Sequence, residues 1–415
     1  MTVVAPESPI TTLDRDQLAV LLREYLLHGH LQDRVGVPLL FQFGVEREGT
    51  QDIAIDEWMA ASPIYSVRTQ ELLGFRGDTV DVILKNLQFD IGSPPQYMDF
   101  RLKYVDDHHA EFWLDHCGAL LDVEPMGEEW VQGMCHTIED PTFDATALAS
   151  NPHAMIRPIH RPPRVPADRM PHCHWTITID ETHPTPAPHP NLEIVRASLA
   201  AQAPVPTIEA APGSEGRTDY TDAVDPDLRF EEFSREALLA LLSEVARQSY
   251  LLFRSYLLAV SQRVGDAAAG EVGPRVLTGL APLTAERLVT AFDIPQDLDG
   301  IAFVLGLHPS FQPAGYVSPT VVRTGDRLRF ALAPSDVFAE GDDLHWLAGL
   351  AQPDDRAMEA LVRAVHPQAR ATPVSATADE VVAYEVRIDP DAEPRNEEPE
   401  TALARFSTGA AFRFH

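Results

Sequence analysis

Cysteine and histidine, the side chains most able to hold a transition metal or to act as nucleophiles, are concentrated in the first half of this chain. All three cysteines and 12 of the 16 histidines precede residue 190. This concentration predicts one metal-binding or catalytic site in the first half. The residues gather in four short segments: DHCG with His116 and Cys117, MCHTIED with Cys135, His136 and Glu139, RPIHR with His160, and PHCHW with His172, Cys173 and His174.

The spacing of four of these residues suits a metal ion bound by nitrogen and oxygen. His136 and Glu139 are three residues apart on a predicted helix, so they share one face of it. His172 and His174 are two apart on a predicted strand, so both imidazoles lie on one side and the thiol of Cys173 lies on the other. Three or four such ligands are typical of Zn²⁺ or mononuclear Fe²⁺. We therefore expect one transition metal ion, zinc or iron.

A thiolate-rich site is the alternative arrangement. Cys117 and Cys135, together with one or two histidines, would supply soft ligands, and that combination favours zinc. The residues themselves leave both arrangements open. The candidate metal ligands drawn from the two are His116, Cys135, His136, Glu139, His172 and His174.

Neighbouring residues are candidates for the chemical steps. A metal ion lowers the pKa of its bound water toward neutrality, and Glu139 or His160 would then move the proton. Cys117 is a further catalytic candidate. Arg157 and Arg161 would either receive a substrate carboxylate through paired hydrogen bonds or pair with surface acids. These roles predict a metal-dependent enzyme, hydrolytic in its chemistry, that acts on a small organic molecule.

Two other functions are compatible with the same residues. Two histidines and one carboxylate around Fe²⁺, with open coordination positions, are typical of non-heme iron oxygenases. Four protein ligands with no open position would instead indicate a structural zinc ion. In that case the protein would be a module that binds or senses a small molecule.

An internal repeat organises the elements that must position these residues. Phe75 matches Phe292 and Tyr97 matches Tyr316, which lie 217 and 219 residues later. The preserved order and the slowly drifting offset predict a duplication. Further matches keep the same order: Asp81 with Asp299, Phe112 with Phe330, Pro158 with Pro373, and Ile179 with Ile388.

The second copy lacks the cysteines and histidines of the first. If the fold required these residues, the second copy would have kept some of them, so the contrast favours a chemical role in the first copy. At the aligned positions the second copy has Pro334 and Ser335, Leu350 and Ala351, Ser375, and Val381, Val382 and Ala383.

Each copy has the pattern helix, strands, helix, strand. Asp14 or Asp16 can cap the first helix of copy one, and Ser234 can cap that of copy two. Alternating segments rich in aromatic and β-branched residues, such as AEFWLDH, HWTITID and VVAYEVRID, predict strands. We expect an α+β fold of two tandem pseudo-repeats, each with an N-terminal helical part and an antiparallel sheet with packed helices.

Composition shifts place the domain boundaries. The repeats should span residues 1–180 and 231–392, joined by a linker rich in proline and acidic residues at 181–230 and followed by a tail at 393–415. We expect the two copies to pair about a pseudo-twofold axis, as the subunits of isologous homodimers do.

The order of the cysteines in copy one resembles that of a known family. A predicted strand ends in Cys117, a helix carries Cys135 shortly before Asp140, and the last strand opens with Cys173, two residues before Trp175. This order is similar to that of the family that includes L-2-amino-thiazoline-4-carboxylate hydrolase and the V4R small-molecule-binding domains.

The resemblance covers residues 15–180 and, without the cysteines, residues 233–390. It implies an α/β sandwich that encloses a small-molecule pocket, with either hydrolysis or ligand sensing as its activity. The additional histidines of this chain depart from the family pattern. That departure favours a metal centre over a simple transfer of the hydrolase activity.

Composition limits the partners. The 415 residues carry a formal net charge of −31, which would repel nucleic acids and anionic membrane surfaces. No apolar run is long enough to span a membrane, and no basic stretch leads into an apolar segment at the N-terminus. An odd number of cysteines in a chain of this size favours reduced thiols. We therefore expect a cytoplasmic protein with a small-molecule substrate, and a homodimer is compatible with these features.

Overall fold

The computed structural model describes residues 8–210, 212–351, 356–393 and 395–415. Copy one begins with three helices, continues into a four-stranded antiparallel sheet, and has further helices between its second and third strands. Its helices are α1 (Arg15–Leu40), α2 (Arg47–Leu73), α3 (Val80–Gln88), α4 (Gly118–Val123), α5 (Glu128–Gln132) and α6 (Glu139–Leu148), with a π-helical turn at Gly133–Ile138. Its strands are β1 (Met98–Asp106), β2 (His109–Cys117), β3 (Ala154–His160) and β4 (Cys173–Ile179).

Copy two repeats this order of elements. Two short helices, α7 (Asn191–Arg196) and α8 (Leu199–Gln202), lie between the copies. The helices of copy two are α9 (Arg235–Arg263), α10 (Asp266–Phe292), α11 (Leu298–Leu307), α12 (Asp336–Ala339) and α13 (Arg356–Val365), followed by α14 (Pro399–Ala404) near the end of the chain. Its strands are β5 (Pro319–Thr324), β6 (Arg327–Leu332), β7 (Ala369–Pro373) and β8 (Val382–Ile388).

The two sheets have the same topology. The strand order is β1-β2-β4-β3 in copy one and β5-β6-β8-β7 in copy two, and every pair is antiparallel. Phe112 lies opposite Trp175 in the first sheet, and Phe330 lies opposite Tyr384 in the second. The predicted α+β fold of two similar halves is confirmed.

Capping residues begin the first helix of each copy. Asp14 forms a capping box with Gln17, because its side chain accepts a hydrogen bond from the Gln17 backbone and the Gln17 side chain accepts one from the Asp14 backbone. Ser234 caps α9 by accepting a hydrogen bond from the backbone of Ala237. These caps satisfy backbone N–H groups that have no partner inside the helix.

The long helices of the two copies interlock. Helix α1 packs against α9 and α10, and α2 packs against α9. Arg68 of α2 pairs with Glu244 of α9, and Arg287 of α10 pairs with Glu24 of α1, with Nε–Oε2 distances of 2.7 Å in both cases. Each arginine donates two hydrogen bonds to its carboxylate. This reciprocal exchange of partners is the pattern of an isologous interface, here formed within one chain.

The segments that follow the two sheets also exchange partners. Glu340 of copy two accepts hydrogen bonds from the backbone N–H groups of Leu199 and Ala200 at the start of α8. Asp122 of copy one accepts hydrogen bonds from the backbone and side chain of Thr408. Helices α7 and α8 lie within residues 181–230, the segment that composition marks as a linker, and α8 thus docks on the opposite copy.

The four longest helices contain 26 to 29 residues, a length sufficient to cross a bilayer. Each of them carries charged residues in its buried part, such as Glu24, Arg68, Glu244 and Arg287. Across the part of the chain that the structure describes, no helix combines the length and the hydropathy that a membrane span requires.

Candidate functional site

The three cysteines come together in the core of copy one, at the inner face of its sheet. Cys117 ends β2 and occupies the N-cap of α4, where its Sγ accepts a hydrogen bond from the backbone of Leu120 at 3.3 Å. Cys173 begins β4 opposite Leu114, and Cys135 lies in the π-helical turn. All three side chains are buried.

Glu139 completes this group. Its carboxyl interacts electrostatically with each of the three thiols, and the thiols of Cys117, Cys135 and Cys173 also interact with one another. The Oε2 atom of Glu139 is buried and has no hydrogen-bond partner among the described residues. We call Cys117, Cys135, Cys173 and Glu139 the thiol cluster.

Burial determines the protonation of the thiol cluster. It raises the pKa of Glu139 from an ordinary value near 4.5 to about 8, with Arg161 opposing the shift. It raises the pKa of Cys117 to about 12, and the pKa values of Cys135 and Cys173 also lie well above their ordinary value. The metal-free cluster therefore carries protons at neutral pH. Because the thiolate is the reactive form, Cys117 is a poor nucleophile in this state.

Two glycines allow the chain to approach closely at the cluster. A Cβ atom on Gly118, directly after Cys117, would lie 2.0 Å from Cζ of the buried Tyr97 ring. A Cβ atom on Gly133, at the start of the π-helical turn, would lie 2.3 Å from Nε2 of Gln51. Absence of a side chain at these two positions lets the segments that carry Cys117 and Cys135 pack against their neighbours.

The sheet alternation places the cysteine and the histidine of β4 on opposite faces. Cys173, Trp175 and Ile177 are buried on the inner face. His174 lies on the outer face, where its Nε2 is 2.9 Å from Oε2 of Glu111. The ring of His160 lies 6.1 Å from that of His174 and also remains apart from the thiol cluster.

Of the other candidate histidines, His116 and His136 have hydrogen-bond partners away from the cluster, whereas Nδ1 of the buried His172 has none among the described residues. The Nε2 atom of His136 is 2.7 Å from the backbone oxygen of Pro162. The Nδ1 atom of His116 is 2.8 Å from the backbone oxygen of Tyr97, and its ring lies 6.4 Å from that of His172. Of the predicted metal ligands, the structure therefore brings Cys135 and Glu139 together with Cys117. It leaves His116, His136, His172 and His174 outside this group.

Cys173 is the member of the cluster that appears among neither the predicted metal ligands nor the predicted catalytic residues. The sequence contains a signal for it, because Cys173, Trp175 and Ile177 alternate with the more polar His174 and Thr176. A strand that faces a core buries its apolar set and exposes the other. Applied to PHCHW, this rule turns the thiol inward and the imidazole of His174 outward.

The candidate substrate-binding arginines are already paired with carboxylates. Arg157 donates two hydrogen bonds of 2.8 Å to Asp144. Arg161 donates one of 2.5 Å to Asp140, and its guanidinium carbon lies 5.8 Å from the centre of the Trp175 ring. Of the two roles open to these arginines, the observed contacts correspond to pairing with acids.

The second copy has no thiol cluster at the matching positions. Ser335 precedes α12 as Cys117 precedes α4, and Val382 begins β8 as Cys173 begins β4. Leu350 is a buried apolar residue, and Ala351, whose backbone ends a 3₁₀ helix, has a side chain outside the described part of the structure. The same fold therefore forms without the thiols.

The pKa of Glu139 predicts a pH dependence for the metal-free protein. Its folded pKa of about 8 exceeds its ordinary value near 4.5, so the folded state binds the proton more tightly. Stability is then full below about pH 4.5 and falls as the pH rises to about 8, by on the order of 4 kcal/mol from this group. In Glu139→Gln this contribution should be absent. Denaturant titrations of both proteins between pH 5 and 9 measure the difference, and parallel profiles would contradict the expectation.

No family model matches the chain, and no curated protein or solved structure shows significant similarity to it. The likeness to the V4R domains and to L-2-amino-thiazoline-4-carboxylate hydrolase therefore stays a prediction. It rests on Cys117, Cys135 with Asp140, and Cys173 with Trp175.

Proposed function

We propose that the thiol cluster binds one zinc ion, and that the zinc stabilises copy one as a small-molecule-binding module. The observation that carries this proposal is the buried Oε2 atom of Glu139, which lacks a hydrogen-bond partner among the described residues while its carboxyl interacts with three thiols. A buried polar atom without a partner costs free energy. A cation shared with three sulfur ligands would remove that cost.

The donor set favours zinc over other ions. Three sulfurs and one carboxylate oxygen are ligands that Zn²⁺ accepts in a tetrahedral site, whereas Mg²⁺ and Ca²⁺ prefer oxygen alone. A bound metal ion would displace the protons that burial retains on Cys117, Cys135, Cys173 and Glu139. Trp175 adds support, because its buried indole N–H has no hydrogen-bond partner among the described residues and lies close enough to Cys173 to favour a thiolate there.

The four side chains would have to turn toward the ion. Among the residues that the structure describes, no three histidine, cysteine, aspartate or glutamate side chains already stand in the arrangement of a metal site. The thiols of Cys117, Cys135 and Cys173 lie close enough to Glu139 to interact with its carboxyl, so the proposal requires these side chains to rotate toward a common ion.

The number of protein donors favours a structural role for the zinc. Four donors fill a tetrahedral site, whereas hydrolysis requires one position for water. A non-heme iron oxygenase requires two histidines beside one carboxylate. His136 is instead hydrogen-bonded to Pro162 and His174 to Glu111, and the ring of His172 lies beside that of His116. The small-molecule-binding module is therefore favoured over the hydrolase and the oxygenase that the sequence also allows.

X-ray absorption at the zinc edge tests this proposal. We expect one zinc ion per chain with three sulfur neighbours near 2.3 Å and one oxygen neighbour near 2.0 Å. In Glu139→Gln the sulfur shell should persist while the oxygen contribution changes. Three sulfurs with an exchangeable water would favour the hydrolase. A zinc ion bound only by nitrogen and oxygen, or a protein unable to bind zinc, would refute the proposal.

A further inference from the structure

Two carboxyl groups meet in the helical core, on helices that do not carry the thiol cluster. Asp33 lies on α1 and Glu57 on α2, and the two carboxyls lie close enough to interact electrostatically. Asp33 also accepts a hydrogen bond from the indole N–H of Trp58 at 3.3 Å. The Glu57 side chain is completely buried, and neither of its oxygens accepts a hydrogen bond from a donor among the described residues.

Within the part of the chain that the structure describes, no basic side chain forms an ion pair with Glu57. Arg34 is the cation that acts on both carboxyls, but its Nε is engaged by Oδ2 of Asp122 at 2.8 Å. Two carboxyls this close cannot both ionise without a cation. Burial raises the pKa of both carboxyls, so the pair retains a proton, and this proton offsets the negative charge that no cation neutralises.

Two neutral oxygen groups, a hydroxyl on α9 and an amide on α1, lie on the helix faces next to the pair. The Tyr256 hydroxyl of α9 is buried, has no hydrogen-bond partner among the described residues, and interacts electrostatically with both carboxyls. Gln32 precedes Gly36 by one helical turn, so the two share a face of α1. A Cβ atom on Gly36 would lie 2.9 Å from Cζ of Tyr256, which places this face against the tyrosine. Both amide atoms of Gln32 are buried without a partner in the described residues.

Copy two shows that the fold does not require these polar groups. Helix α1 aligns with α9 at an offset of 220 positions. This offset matches the capping residues Asp14 and Ser234, and also the paired acids Glu24 and Glu244. Arg68 and Arg287, 219 apart, match α2 with α10 in the same way. The counterparts are buried and apolar in each case: Leu252 for Gln32, Phe253 for Asp33 and Val276 for Glu57.

We infer that Asp33 and Glu57, with the oxygens of Tyr256 and Gln32, form a second cation site that takes a hard divalent ion such as Mn²⁺, Mg²⁺ or Ca²⁺. The ligands are oxygens only, which is the preference of these ions and separates this site from the sulfur-rich thiol cluster. Asp33 and Trp58 are partly exposed whereas Glu57 is buried, so an ion would enter from the Asp33 side of the pair. On binding, the ion replaces the shared proton, which leaves to solvent.

A titration with Mn²⁺, followed by electron paramagnetic resonance, tests this inference on the full-length zinc-loaded protein. We expect one Mn²⁺ per chain, with a dissociation constant in the micromolar to millimolar range. Glu57→Gln and Asp33→Asn should each weaken binding at least tenfold. Asp56→Asn is the matched control, because Asp56 precedes Glu57 on α2 but pairs with Arg263 and His189.

The outcomes separate this site from the thiol cluster. Circular dichroism melts verify that each variant is folded. If Glu57→Gln does not fold, Glu57→Val replaces it, because copy two has valine at the matching position, Val276. Mn²⁺ binding that persists in Cys173→Ser but is lost in Glu57→Gln would establish the site. The inference is overturned if the native chain binds no Mn²⁺ up to about 10 mM. It is also overturned if Glu57→Gln and Asp33→Asn bind Mn²⁺ as tightly as the native chain does.

Discussion

Replacement of Arg287 by Met is expected to lower the free energy of unfolding by about 3–5 kcal/mol, because it leaves the Glu24 carboxylate buried without its cation. Both oxygens of Glu24 accept hydrogen bonds from Arg287, and both side chains are at most 6% exposed. Arg287 also donates to the backbone oxygens of Gly409 and Phe412, so the variant should loosen the C-terminal segment as well. Guanidinium denaturation followed by circular dichroism measures the loss.

Two control variants separate the burial of a charge from the loss of a contact. The double variant Glu24→Met/Arg287→Met removes both charges and should recover much of the stability, since an apolar pair of similar volume replaces a buried ion pair well. Arg327→Met breaks the exposed pair with Glu385 and should change stability little. A cost for Arg287→Met no larger than that for Arg327→Met would show that this interface does not depend on the buried pair.

The sequence predicted the repeat and its sheets better than it predicted how the copies join. Cross-strand neighbours such as Phe112 with Trp175 belong to segments whose alternation is visible locally, and their counterparts Phe330 and Tyr384 align with them. The packing of helices from one copy against helices of the other depends on which apolar faces meet, and hydrophobic periodicity does not specify the partner of a face. Charged residues in apolar helices, such as Glu24, indicate that a partner exists, but the sequence does not show which residue it is.

The structure brings together Cys117, Cys135 and Glu139, which the sequence singles out, but it does not bring the candidate histidines to them. The interpretation of His136 and Glu139 as neighbours on one helical face assumed regular α-helical spacing, whereas the π-helical turn at Gly133–Ile138 ends between them. Its wider turn directs His136 to Pro162 while Cys135 and Glu139 join the core cluster. On β4 the apolar residues alternate with the more polar ones, so Cys173 faces the core and His174 faces the opposite side of the sheet.

Removal of the proposed zinc ion is expected to destabilise copy one by several kcal/mol. Structural zinc sites in small domains contribute on the order of 10 kcal/mol through binding to the folded state, and here the core without zinc retains a buried Glu139 oxygen without a partner. Cys173→Ser should therefore melt at a clearly lower temperature than the native chain, by about 5 °C or more. Its neighbour His174 is the matched control, because His174→Ala leaves Glu111 with its remaining partner Lys103.

The metal content of these two variants tests the zinc proposal most directly. Cys173 and His174 are adjacent on β4 but face opposite sides of the sheet, so the pair separates thiol ligation from imidazole ligation. Elemental analysis of the purified proteins should give close to one zinc ion per chain in the native protein and in His174→Ala, and less than a tenth of that amount in Cys173→Ser. Zinc retained by Cys173→Ser but lost from His174→Ala would contradict the account and restore the histidine site.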